Sequence, residues 1–154
     1  MLTKILVPTD GSAMALKAAK YALTLGEKFD SEITLLHIIQ NYYDMPTFSV
    51  SESVTLPRSI LNNIEKGGEL VLEKTLAALP DYSGKINTRM EYGPPGKVTV
   101  EIAYKENYSL IVMGRRGLNS FAGFLLGSVS NHVVHYASCP TLIVKTNEPT
   151  PENE

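Results

Sequence analysis

The chain has 154 residues, 44% hydrophobic and 19% charged, with a formal net charge of −2. That length suits one domain with its own core, and that composition excludes wholesale disorder. Fourteen basic residues against 16 acidic ones exclude a general binder of nucleic acid or anionic membrane, whose affinity comes from excess Lys and Arg.

The first apolar run is Lys4–Val7, followed by Pro8. It is too short for a secretory leader, which needs about 7–15 apolar residues. Nowhere does an apolar stretch reach the roughly 20 residues of a membrane span. The single Cys139 has no internal disulfide partner, which suits a reducing compartment. The expected location is the cytoplasm, and Asn107-Tyr108-Ser109 is then not a glycosylation site.

From Ser12 to Phe29 apolar or small residues recur at helical spacing: Ala15, Leu16, Ala19, Ala22, Leu23, Gly26 and Phe29. Ser12, or Asp10 before it, is the expected N-cap. A second strand is predicted over Ile33–Ile39. Residues 40–58 then form a long mixed stretch with three Ser, two Pro and two Tyr, a length that marks a functional or mobile loop. The next helix is predicted from about Ser59 to Leu79, stopped by Pro80. Gly67-Gly68 in its middle costs about 1 kcal/mol per glycine, so a kink or loose turn is expected there.

A third strand is predicted over Ile86–Glu91 and a short helix over Gly96–Glu106, with Pro95 in or just before its first turn. Leu110–Met113 follows as a strand, then a helix that begins near Gly127-Ser128 and ends before Pro140, and finally the strand Thr141–Val144. Strands alternating with helices predict an α/β fold, one parallel sheet between helices joined by right-handed crossovers. The domain is assigned to residues 1–145. The tail 146–154 has two prolines, three glutamates and no apolar residue, the composition of a disordered end.

In an open parallel sheet, ligands bind beyond the carboxyl ends of the strands, where strand order reverses. Two unusual loops sit at such ends. One is Pro8-Thr9-Asp10-Gly11-Ser12; the other runs from Gly114-Arg115-Arg116-Gly117 to Gly127-Ser128-Val129-Ser130. If the first and fourth strands are neighbours, both loops face one crevice. Gly114 and Gly117 let a ligand approach the backbone, Gly127 bares a helix N-terminus, and unpaired N–H groups there favour an anion. Ser128 and Ser130 add hydroxyls, and Arg115 and Arg116 add charge. The other reading is a glycine-rich turn in which Ser128 only caps the helix, and glycine count alone does not separate the two. Neither G-x-x-x-x-G-K-[ST] nor a G-x-G-x-x-G following a strand occurs, which argues against a P-loop NTPase or a dinucleotide dehydrogenase.

Gly114-x-x-Gly117, nine residues, then Gly127-Ser128 resembles the G-2x-G-9x-G-[ST] signature of the ATP-binding branch of the universal stress proteins. Further blocks are similar in order and spacing: Ile5–Ser12, Leu35–Ile38, Leu110–Gly114 and Cys139–Val144. The resemblance implies a Rossmann-like five-stranded sheet of order 3-2-1-4-5, paired as a homodimer, that binds ATP, ADP or AMP with Mg²⁺. It implies that Pro8, Thr9 and Asp10 lie against adenine and ribose, with Ile38 as an apolar wall. Met113 and Gly114 would flank the ribose or α-phosphate. Gly117, Gly127, Ser128, Val129 and Ser130 would wrap the phosphates, with charge from Arg115. The chain departs from the pattern at Ser109, where members often carry an acid, and at Arg115-Arg116, where small residues or His are common. The homodimer is expected along the last strand, because Leu142-Ile143-Val144 is a flat apolar edge in that order.

The remaining candidates are weaker. His132 and His135 stand at i and i+3, but no nearby Cys, Asp or Glu completes a metal set. His37, inside an apolar strand, is read as a core hydrogen-bonding residue, and Cys139 as a small hydrophobe. No acid–base pair can be named near the phosphates and no G-x-S-x-G elbow occurs, so the chain is read as a stress-response binding or signalling module with at most slow ATP hydrolysis. The alternative is a nucleotide-free dimerisation or interaction module of the same fold. A response-regulator-like receiver needs an acidic cluster after the first strand, and Asp10 stands there alone.

Overall fold

The computed structural model describes residues 1–40, 57–115 and 126–145. Most of the 40–58 loop, Arg116, Gly117 and the 146–154 tail therefore lie outside the described residues. The elements run β1 (Lys4–Pro8), α1 (Ala13–Phe29), β2 (Glu32–Ile39), α2 (Arg58–Ala77), β3 (Ile86–Tyr92), α3 (Pro95–Lys105), β4 (Leu110–Gly114), α4 (Ser128–Tyr136) and β5 (Thr141–Val144). The strands form one parallel sheet of order β3-β2-β1-β4-β5. This is the predicted order.

Both faces of the sheet are covered, so the central strands read as unbroken apolar runs. Alternation within each run still divides them. Ile5, Val7, Ile33, Leu35, Leu110 and Val112 share one core with α1 and with Leu72 of α2. Leu6, Leu36, Ile111 and Met113 share the other with Ile102 of α3 and Val133 of α4. Helix α1 sits close to the sheet because its buried stripe is small, with Ala15, Ala18, Ala19 and Ala22 between 0% and 6% exposed.

Two local expectations are resolved. Ser12 is the N-cap of α1, its hydroxyl accepting the Ala15 N–H at 3.2 Å, while Asp10 accepts the Ser12 N–H at 3.0 Å. Helix α2 runs unbroken from Arg58 to Ala77, so the helix is not interrupted by the loose turn expected at Gly67-Gly68. Gly68 is buried against β2 and β3, and its missing side chain is what lets the helix lie close to them.

Ser109 explains one departure from the family pattern. Its hydroxyl accepts the N–H of Thr3 and of Lys4, both at 3.0 Å, and donates to the Lys4 carbonyl at 2.8 Å. Ser109 thus ties the start of β4 to the start of β1, at the amino end of the sheet. That is the end opposite the crevice.

Candidate functional site

Strand order reverses between β1 and β4, which pair only at Ile5↔Leu110 and Leu6↔Ile111. Beyond that point the chains part. β1 leads into α1 on one face and β4 leads toward α4 on the other, and a cleft of about 200 Å³ opens between them. Of the residues proposed from sequence, Pro8, Thr9, Asp10, Ile38, Met113, Gly114, Arg115, Ser128, Val129 and Ser130 all line it. Gly127 stands behind that lining as the N-cap of α4.

One wall is the turn that joins β1 to α1. Thr9 continues the β1–β2 ladder, its N–H donating to Leu36 O at 2.8 Å. Its hydroxyl oxygen accepts the Gly11 N–H at 3.2 Å and lies 3.4 Å from the Thr75 hydroxyl of α2. Gly11 takes φ +79°, a left-handed conformation that glycine adopts without steric cost. The turn is therefore built from side chains that satisfy its own backbone, and Asp10 is exposed at the cleft.

The opposite wall begins with Met113, 5% exposed, and Gly114 at the end of β4. The Arg115 N–H donates to Val144 O at 2.9 Å, anchoring the exit from the strand on β5. Helix α4 then points its amino end at the cleft. Its cap is Gly127, with no side-chain cap hydrogen bond, and its first turn carries no acidic residue. The reading in which Ser128 caps the helix is thus corrected: Ser128 is the first helical residue and is exposed. Ser130 is 2% exposed and donates its hydroxyl to Gly127 O at 3.1 Å. It holds the cap rather than offering that proton to the cleft. The first-turn N–H groups and the helix dipole together present a positive end, with no side-chain cap from Gly127.

Other lining residues were not assigned to the nucleotide site from sequence. They include Ser12 at the N-cap of α1, Met14 and Ala15 within it, His37 and Gln40 at and just after the end of β2, and Pro95 from the first turn of α3. Gln40 follows directly from register, since every carboxyl end beside the switch point borders the crevice. Pro95 does not: it arrives through the packing of α3 against α4, and no local sequence signal announces it. Chemically, the cleft joins apolar walls (Pro8, Leu36, Ile38, Met113, Pro95) to one anion-friendly end formed by α4 and Arg115.

The weaker candidates resolve as follows. His37 Nδ1 lies 2.8 Å from Thr9 O, so it makes the hydrogen bond expected of it, but at the cleft rather than deep in the core. His132 and His135 each pack on Tyr136, with ring centroids 4.6 Å apart in both pairs. Burial pushes the Cys139 thiol up from its ordinary range, which keeps it protonated. Among the described residues no helix is long and apolar enough to cross a membrane.

A model of the universal stress protein family matches residues 1–145. The chain is 35% identical over 147 residues to universal stress protein MJ0531 of Methanocaldococcus jannaschii, spanning 92% of this chain and 81% of that one. Among solved structures, hypothetical protein MJ0577 is 28% identical with a TM-score of 0.77, covering 97% of this chain and 99% of that one. A universal stress protein in complex with cAMP is 25% identical with a TM-score of 0.64, covering 92% and 96%.

Proposed function

The chain belongs to the universal stress protein family, and we propose that it binds an adenine nucleotide, ATP with Mg²⁺ foremost, in the cleft between β1 and β4. One observation carries the reading: the amino end of α4 and Arg115 face the Pro8–Asp10 turn across a single cleft. An anion suits the first side and a flat apolar base suits the walls of the second. The cAMP held by a 25% identical relative supports adenine as that base.

Phosphates bind at α4 through the first-turn N–H groups and the Ser128 hydroxyl, with Arg115 supplying charge; Gly117 of the same signature lies outside the described residues. Among the described lining residues Asp10 supplies a carboxylate, which suits a Mg²⁺ carried mostly by phosphates. The protein then acts as a cytoplasmic binding or signalling module in the stress response, with hydrolysis slow at most.

Calorimetry with ATP, ADP, AMP and cAMP, each with Mg²⁺ at millimolar concentration, tests the reading. Saturable heat from an adenine nucleotide is expected, and silence from all four rejects it in favour of a nucleotide-free interaction module.

The module works as a homodimer through β5, an edge strand whose Leu142 is 36% exposed. An apolar edge without charge invites pairing, and a symmetric copy of the same strand covers it. Light scattering should give about twice the chain mass, reduced to one chain by Leu142→Lys; a monomeric wild type removes the proposal.

A further inference from the structure

We propose that His37 is the positioning residue of the nucleotide cleft, holding the Thr9–Asp10 peptide in the orientation that the ligand meets. The inference rests on the nucleotide reading above and assigns a role to a side chain that reading leaves unused. The Thr9 carbonyl oxygen can only accept, so the His37 nitrogen 2.8 Å away must be a protonated Nδ1 that donates to it. Thr9 is 5% exposed. Its N–H is held by Leu36 O and its hydroxyl by Gly11 and Thr75, and the hydrogen bond on its carbonyl comes from His37.

That carbonyl belongs to the peptide between Thr9 and Asp10. A trans peptide is planar, with C=O and N–H pointing in opposite directions. Fixing the Thr9 oxygen on His37 therefore fixes the direction of the Asp10 N–H. Both residues line the cleft, as does His37 itself. A Cβ on Gly68 of α2 would stand 3.1 Å from His37 Cδ2 and 2.7 Å from Met90 Sδ, so the imidazole is braced between α2 and the turn.

Two substitutions separate the hydrogen bond from the packing. His37→Leu fills the space but donates nothing. His37→Asn packs less well, yet its carboxamide N–H₂ sits near the place of Nδ1 and can donate to Thr9 O. If His37 mattered only as filling, Leu would be the better replacement. As a positioning donor, Asn is the better one.

The expected result is that His37→Leu binds ATP or AMP at least about tenfold more weakly than wild type. His37→Asn should recover most of that loss, although it melts no higher than His37→Leu without ligand. Nitrogen-15 NMR of the wild-type ring, which needs no variant to fold, should show a proton on His37 Nδ1. His37→Leu binding as wild type does, Asn no better than Leu, or a bare Nδ1 in the spectrum would each overturn the proposal. Absence of nucleotide binding by wild type brings down the functional reading itself. It is told apart from a failure of His37 alone, in which wild type binds and the two variants do not differ.

Discussion

A Cβ placed on Gly114 would stand 2.8 Å from the carbonyl oxygen of Met14. The end of β4 and the first turn of α1 therefore touch through backbone, with no side chain between them to yield. This contact sets the separation of the two walls of the cleft at its floor. Any side chain at position 114 must push α1 away from the sheet or bend the end of β4. Gly114→Ala should lower stability by about 1–3 kcal/mol, as overpacking does. Thermal or urea melts of the nucleotide-free protein measure it, and an unchanged midpoint would mean that the contact is not tight in solution.

The glycine pair of α2 should divide sharply. Gly67 has nothing within 4 Å of its would-be Cβ, whereas Gly68 faces Met90 Sδ, His37 Cδ2 and Ile39 Cδ1 at 2.7, 3.1 and 3.3 Å. Gly67→Ala then adds helix propensity at no steric cost and should stabilise by about 0.5–1 kcal/mol. Gly68→Ala makes the same gain but drives a methyl into the braced imidazole, and it should come out destabilised. Denaturant midpoints decide the matter; equal shifts in the two variants would show that α2 lies further from the sheet.

The Tyr92 hydroxyl of β3 donates to the Glu65 carboxylate of α2 at 2.5 Å. This bond, more than burial, pushes the Tyr92 phenol from 10.0 up to about 12. The folded value is raised, so the neutral phenol is the favoured form. Its contribution to stability is complete below pH 10 and is lost as pH rises through about 12. The stability gap between wild type and Tyr92→Phe should hold steady to pH 10 and shrink above it. Glu65→Gln should return the Tyr92 Cζ resonance to an ordinary tyrosine titration. A Tyr92 that titrates normally in wild type would refute the bond.

Much of this molecule is legible in its residues, and the boundary has a physical cause. The strands announce themselves because a sheet covered on both faces needs runs such as Leu110–Met113, and the switch point then follows from strand order. The turn Pro8–Ser12 and the glycine signature pointed to one cleft for the same reason. What escaped reading depends on side-chain direction. Gly68 looked like a weak point in α2 because its propensity cost is local, whereas its benefit, close approach to His37 and Met90, is tertiary. Ser128 and Ser130 look alike as hydroxyls beside a phosphate, but the two residues between them are about half a turn of helix, which sends the second inward to the Gly127 carbonyl. Which backbone oxygen His37 would meet depends on the register of β2 against β1, and composition does not carry that.

Ser128 offers the sharpest separation of folding from binding. It is the first residue of α4, exposed, in a turn with no acid and no side-chain cap. A carboxylate there interacts favourably with the helix dipole, typically by 0.3–1 kcal/mol, so nucleotide-free Ser128→Asp should melt no lower than wild type. The same carboxylate would stand among phosphate oxygens, adding like-charge repulsion and removing a hydroxyl donor. Affinity for Mg-ATP should then fall by at least about tenfold, which is 1.4 kcal/mol. Melts of both proteins with and without Mg-ATP measure the two effects together, because a ligand that binds only the folded state raises stability by mass action. Wild type should gain and Ser128→Asp should gain little. An equal gain in both would place the phosphates away from the amino end of α4.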